Sequence, residues 1–231
     1  MPAILITGAN RGLGLEFAHQ YISDGWTVHA CCRSPDQADA LQQLGKGTTR
    51  LHIHQLRMTD WEGMSALARQ LAKEPLDVLL NNAGMYGDKD GQGFGALQAA
   101  PWIEVFEVNT IAPIKMAEAF LPHVAAGKLK KMVFISTKMA SISDNQQGGS
   151  YFYRTTKAAL NMAIKNLDFD VRPKGITVLA LHPGWVRTEM GGPQAPLQPP
   201  ESVAGMRQQI ASVTLENSGR FLDYQGQEIP W

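Results

Sequence analysis

The stretch YRTTK places a phenol at Tyr153 and an ammonium at Lys157, four positions apart. On a helix that spacing stacks the two side chains on one face, where they can share a pocket and act as an acid/base pair. A second chemical signal opens the chain. TGANRGLG, with Gly8, Gly12 and Gly14, follows directly on an apolar run. Glycines there permit a tight turn and close backbone approach, and the free N–H groups of a following helix hold a pyrophosphate. A third signal is HIH, which sets His52 and His54 on one face of a strand. Two imidazoles with no third ligand nearby read as partly buried polar side chains, so no metal is expected.

The elements that must position these residues alternate. Short β-branched runs at 3–7, 27–32, 50–55, 77–81, 132–136, 176–181 and 220–224 predict about seven strands. Helical periodicity is expected over 13–23, 37–44, 61–72, 102–126, 151–171 and 202–214. Strand and helix in alternation imply an α/β fold with a doubly wound parallel sheet, a Rossmann fold. No linker divides the 231 residues, so one domain spanning 1–231 is expected. The Gly-rich 86–101 segment contains GQGFG, but no helix opens behind it, so it reads as a connection. Residues 184–202, rich in Gly and Pro after a strand end, read as a substrate lid.

Composition narrows the function. Hydrophobic residues make up 44% and charged residues 18%, enough apolar chain for a sizeable core. Lys and Arg (21) balance Asp and Glu (21) and are scattered apart from GKLKK, which disfavours nucleic-acid binding. No basic leader or long apolar segment is present, so a cytoplasmic protein with no membrane span is expected. Cys31 and Cys32 are neighbours in an apolar run and read as reduced thiols.

Taken in order, TGANRGLG, NNAG (81–84), Asn109 in EVNTIAP, YRTTK and HPGWVRT resemble the short-chain dehydrogenase/reductase family over nearly the whole chain. HPGWVRTEMGG and the ending GRFLDYQGQEIPW are most similar to its carbonyl-reductase branch, the Sniffer or C-factor-like proteins. The resemblance implies that Tyr153 is the general acid/base and that Lys157 lowers its pKa and holds the nicotinamide ribose. Taking a phenol from about 10 to about 7 requires roughly 4 kcal/mol. A cation about 4 Å away at an effective dielectric near 20 supplies about that much. Tyr151 competes for the role, but Thr155 stands four residues on, so it lacks a cation and reads as packing.

The same resemblance implies a kinked helix at Asn109 with a water relay to Lys157. It implies a third catalytic hydroxyl at the fifth strand's end, where the family's Ser aligns with Thr137, leaving Ser136 and Ser141 as alternatives. Cofactor contacts are implied at Gly8, Asn10, Arg11, Gly12, Leu13 and Gly14 in the first loop. Asn82, Ala83 and Gly84 follow the fourth strand, and Pro183, Gly184, Val186 and Thr188 follow the sixth. Arg57 stands where the family usually has an adenine-contacting Asp, with Met58 left to offer backbone contacts. Asp60 is expected to cap the helix that starts at Trp61. His182 reads as structural.

Charge selects the cofactor. Cys32 occupies the position where an acidic residue would bind a ribose 2′-OH, and Arg33 follows it. Arg33 and Arg11 favour the 2′-phosphate of NADP(H) through paired charge-assisted bonds. The expected reaction is hydride transfer from NADPH to a small-molecule carbonyl, running mainly toward the alcohol. An NADP-dependent alcohol dehydrogenase on the same site is the enzyme rival, and an NADP(H)-binding regulatory or signalling protein is the rival from another class. Trp185, Met190, Tyr151, Met85 and Met139 suggest an apolar cleft. Relatives often pair through the 102–126 and 151–171 helices, so a homodimer or homotetramer is one expectation and a monomer the other.

Overall fold

The computed structural model describes residues 1–88 and 93–231. Part of the GQGFG stretch therefore lies outside the described residues. Seven strands, β1 (Ala3–Thr7), β2 (Thr27–Cys32), β3 (Leu51–Gln55), β4 (Val78–Asn81), β5 (Lys131–Ile135), β6 (Thr177–His182) and β7 (Arg220–Asp223), form one sheet. All neighbours are parallel, in the order β3-β2-β1-β4-β5-β6-β7. The chain winds outward from β1 to β3 and then returns to start again at β4. Between β1 and β4 lies the switch point, where loops diverge and leave a crevice for a ligand.

Alternation along the strands divides the core into two layers. Leu5, Leu79, Met132 and Phe134 pack beneath α3 (Trp61–Gln70), α5 (Ala112–Ala126) and α6 (Tyr151–Val171). Ile4, Ile6, Val28, Leu80 and Val133 face α1 (Gly12–Ser23), α2 (Asp39–Gly45) and α7 (Pro199–Ser212). Both faces are covered, which is why these strands read as continuous apolar runs. Asp60 accepts from Gly63 N at 2.9 Å and caps α3, as its position predicts. The buried Lys131 donates to the carbonyls of Ile210 (2.5 Å) and Ala211 (2.9 Å), closing the end of α7 with a cation.

One helix expected over 102–126 is three pieces: α4 (Ala99–Phe106), a π turn (Glu107–Ile111) and α5. Pro113 stands four residues after Asn109 and cannot supply the amide that an α-helix would send to the Asn109 carbonyl. The widened turn falls at that point.

The two histidines of HIH meet a third on the adjacent strand. His29 Nδ1 and His54 Nε2 share a hydrogen bond of 3.0 Å, and the His29 ring stacks on His52 at 5.1 Å. Among the described residues no group of three or more His, Cys, Asp or Glu is arranged to hold a metal. Both cysteines are free and buried. Among the described residues no helix is long and apolar enough to cross a membrane.

Candidate active site

The crevice is built first from glycines. Gly8 (φ +66°) and Gly12 (φ +54°) take backbone angles that side chains disfavour. Gly14 packs against the loop so closely that a Cβ there would lie 2.2 Å from the Gly8 carbonyl oxygen. Asn82 fastens this turn to β4: its Nδ2 donates to the carbonyls of Thr7 (2.9 Å) and Gly8 (3.1 Å). Thr7 Oγ1 accepts from Asn82 N and Ala83 N, both at 3.0 Å. Asn82 and Ala83 thus shape the loop from behind. Helix α1 opens at Gly12 with neither a side-chain cap nor an acidic residue in its first turn, so its positive end is available to an anion.

Arg33 stands exposed past β2 and makes no ion pair with a described residue. Arg11 behaves differently from expectation: its guanidinium pairs with Glu189 in the 184–202 loop. The same loop lays Thr188 against Gly12, whose Cβ would be 3.4 Å from Thr188 Cγ2. It is pinned by a bridge between Val186 and Leu197 and by Trp185 Nε1 donating to Gly191 O at 2.8 Å. Pro183 O accepts from Ser202 Oγ at 2.6 Å, and Gly184 turns with φ +82°. Arg57 is exposed and Met58 is buried.

On the other side of the switch point, α6 begins at Tyr151 and brings up Tyr153 and Lys157. Lys157 is 4% exposed, and its Nζ donates to Ile135 O at 2.8 Å. Burial pushes its pKa down to about 8. Asn109 is fully buried: Oδ1 accepts from Met85 N (2.9 Å), while Nδ2 donates to Met85 O (2.8 Å) and Thr156 Oγ1 (3.1 Å). Gly84 leaves room between them, since a Cβ there would sit 3.2 Å from Asn109 Oδ1 and 3.5 Å from Lys157 Nζ.

Among the three hydroxyls near the end of β5, geometry separates the roles. Ser136 points into the core and donates to Asn161 Oδ1 at 2.6 Å. Ser141 is engaged with the backbone, accepting from Asp144 N at 3.2 Å. Thr137 accepts from Met139 N at 3.2 Å, and its side chain faces the Tyr153 hydroxyl and draws its pKa down.

Tyr153 itself is held up at about 12, chiefly because burial disfavours the phenolate, with Tyr86 adding to the rise. The resemblance implied lowering by Lys157; in this geometry the ammonium donates to Ile135 O instead. Among the described residues no cation lies over the Tyr151 ring, and its carbonyl takes Thr155 Oγ1 at 2.6 Å. His182 is pushed down to about 4 by burial and stays neutral.

Two residues near Tyr153 escaped the sequence reading. The Tyr86 ring lies 5.0 Å from the Tyr153 ring, and Asp88 binds the first turn of α6. Both follow NNAG within four residues, the one signal that pointed to them. Trp185 (57% exposed) and Met190 (51% exposed) are exposed apolar side chains of the 184–202 loop.

The short chain dehydrogenase family pattern matches residues 2–198. The chain is 43% identical over 168 residues to the C-signal protein of Myxococcus xanthus, covering 73% of this chain and all of that one. Its fold superposes on the carbonyl reductase Sniffer of D. melanogaster with a TM-score of 0.92 and 32% identity, both chains covered in full. It also superposes on the NADPH-bound carbonyl reductase from chicken fatty liver with a TM-score of 0.91 and 33% identity, covering 100% of this chain and 99% of that one. With its glycine turn, its NNAG brace and its Tyr153–Lys157 helix in one crevice, this chain belongs to the short chain dehydrogenase family of oxidoreductases.

Proposed function

We propose that the protein reduces an aldehyde, ketone or quinone to the alcohol with NADPH, using Tyr153 as the general acid. The observation that carries this reading is the arrangement at the crevice: α6 brings Tyr153 and Lys157 up beside Gly84 and the buried Asn109, and Thr137 faces the Tyr153 hydroxyl. A phenol held at about 12 is fully protonated at neutral pH, the state needed to give a proton to a carbonyl oxygen.

The residues fit the dinucleotide. Gly14, where a Cβ would strike the Gly8 carbonyl, leaves the backbone bare. The uncapped start of α1 would hold the pyrophosphate. Arg33, with no carboxylate at the end of β2, would take the 2′-phosphate. When bound, the cofactor supplies the hydride. The chain's own residues do the rest: Tyr153 donates its proton to the carbonyl oxygen, and Thr137 donates a hydrogen bond to the same oxygen as charge grows on it. Lys157, largely charged at neutral pH, would hold the nicotinamide ribose. Thr188 and Val186 would close over the nicotinamide side.

A second reading is a cofactor-binding signalling protein, favoured by the 43% identity to C-signal. The test is the initial rate of NADPH oxidation over aldehydes, diketones and quinones, with Tyr153→Phe beside the wild type. Turnover that collapses by orders of magnitude in the variant supports the reductase. NADPH binding without turnover in both proteins supports the signalling reading.

A further inference from the structure

We infer that Asp88 is a positioning residue for Tyr153: from the loop after β4 it holds the first turn of the helix that carries the proton donor. This rests on the reading of Tyr153 as the acid.

Helix α6 has no local cap. Ser150, which precedes it, is left-handed (φ +44°) and sends no side-chain bond to the helix amides, and Gly148 (φ +62°) and Gly149 (φ +67°) before it are left-handed too. The opening amides of the helix would be left without acceptors. Asp88 supplies them from more than sixty residues away: one carboxylate oxygen accepts from Phe152 N at 3.1 Å and the other from Tyr153 N at 2.8 Å. A carboxylate at a helix N-terminus is stabilised by the dipole as well as by the charge-assisted bonds.

The residues around Asp88 close the arrangement. The Tyr86 and Ser150 hydroxyls share a hydrogen bond of 2.7 Å, and the Tyr86 ring rests against that of Tyr153. Between them Gly87 turns with φ +78°, where a Cβ would lie 2.3 Å from Val105 Cγ2, so the backbone can present both Tyr86 and Asp88 to α6. Met85, at the other end, is clamped by Asn109 through both its N–H and its carbonyl. A chain of contacts thus runs from Asn109 through Met85, Tyr86 and Asp88 to the backbone of Tyr153. The bonds that locate the acid's backbone are separate from those that Asn82 and Ala83 make to the glycine turn.

That separation makes the inference testable by splitting turnover from cofactor binding. Misplacing a catalytic group by about 1 Å costs as much as a hundredfold in rate. With phenanthrenequinone as the probe carbonyl, Asp88→Ala is expected to lower kcat by about ten- to a hundredfold, leaving the NADPH Kd, read by fluorescence, within about twofold. Asp88→Asn keeps one acceptor oxygen and is expected to fall between, which covers the case of an alanine variant that fails to fold. Wild-type kcat in both variants, or kcat and NADPH binding falling together, overturns the inference. Tyr153→Phe in parallel keeps the two readings apart. If it is inactive while Asp88→Ala is not, only the positioning role fails; if it is fully active, the acid reading fails and the inference with it.

Discussion

Asn109 and Met85 are joined by a reciprocal pair of hydrogen bonds, the side-chain amide of one reading both backbone groups of the other at 2.8 and 2.9 Å. An amide is the side chain that can do this, because it carries a donor and an acceptor side by side. The pair links the π turn to the segment that leaves β4. It makes a buried polar residue a structural joint between the sheet's switch point and the helix layer.

Asn109→Asp tests that joint. The carboxylate would keep the bond from Met85 N but turn an oxygen toward Met85 O and Thr156 Oγ1, in a site with no solvent. Losing the donor and burying a charge should destabilise the protein by about 2–4 kcal/mol, read as a lower urea midpoint with an unchanged slope. A midpoint equal to wild type would mean the joint is not needed.

Thr137 is expected to tolerate serine and reject valine. Thr137→Ser keeps the hydroxyl facing Tyr153 and frees its rotamer, so kcat should stay within about threefold of wild type. Thr137→Val has the same shape without the donor and should lower kcat by about 10² to 10³, the range for removing one donor to a developing oxyanion. It should also cost about 1 kcal/mol of stability, because Met139 N loses its acceptor. Equal rates for serine and valine would assign the carbonyl contact to another group.

Periodicity in the sequence located all seven strands to within a residue at each end, because strands covered on both faces must be apolar throughout. Glycine chemistry located the turn after β1, and Pro113 four places after Asn109 is a legible reason for the helix to widen there. Pairings made by loop paths were not legible. Nothing local connects Asp88 to Phe152, Arg11 to Glu189, or His29 to His54 until the sheet order and the loop courses are known. The course of the Lys157 side chain was not legible either. A spacing of four aligns two residues on a helix face, yet a lysine has four rotatable bonds, and here they carry Nζ to Ile135 O.

Acid should weaken the fold through the histidine cluster. Burial, followed by its neighbours His54, His52 and His123, pushes His29 down to about 4. His54 is lowered as well. A histidine whose folded pKa lies below its unfolded value is unprotonated in the fold while the unfolded chain takes up protons. Stability is therefore unaffected above about pH 6.5, falls as pH drops through that value, and has lost the full contribution by about 4. The loss by pH 5 is on the order of 2 kcal/mol for His29 alone. Urea unfolding between pH 4 and 8 should show this slope, and His29→Leu should flatten it. A variant with the same acid slope as wild type would place the sensitivity elsewhere.

Lys157 should be a residue the fold would do better without. Its pKa is pushed down to about 8 by burial, so at pH 7 the protein carries a cation that its surroundings disfavour. The unfolded chain binds that proton more tightly, and stability should rise between about pH 8 and 10.5 as the folded-state amine becomes neutral. Lys157→Met keeps the length and removes the charge, at the expense of the bond to Ile135 O. Relief of the buried charge is on the order of 2–3 kcal/mol and the lost bond about 1. The variant should then melt about 2–6 °C higher while its turnover falls by orders of magnitude. Calorimetry at pH 7 beside an NADPH oxidation assay reads both. A lower melting temperature would mean that the bond to Ile135 outweighs the burial of the charge, and that the lysine holds α6 to β5 as well as serving the reaction.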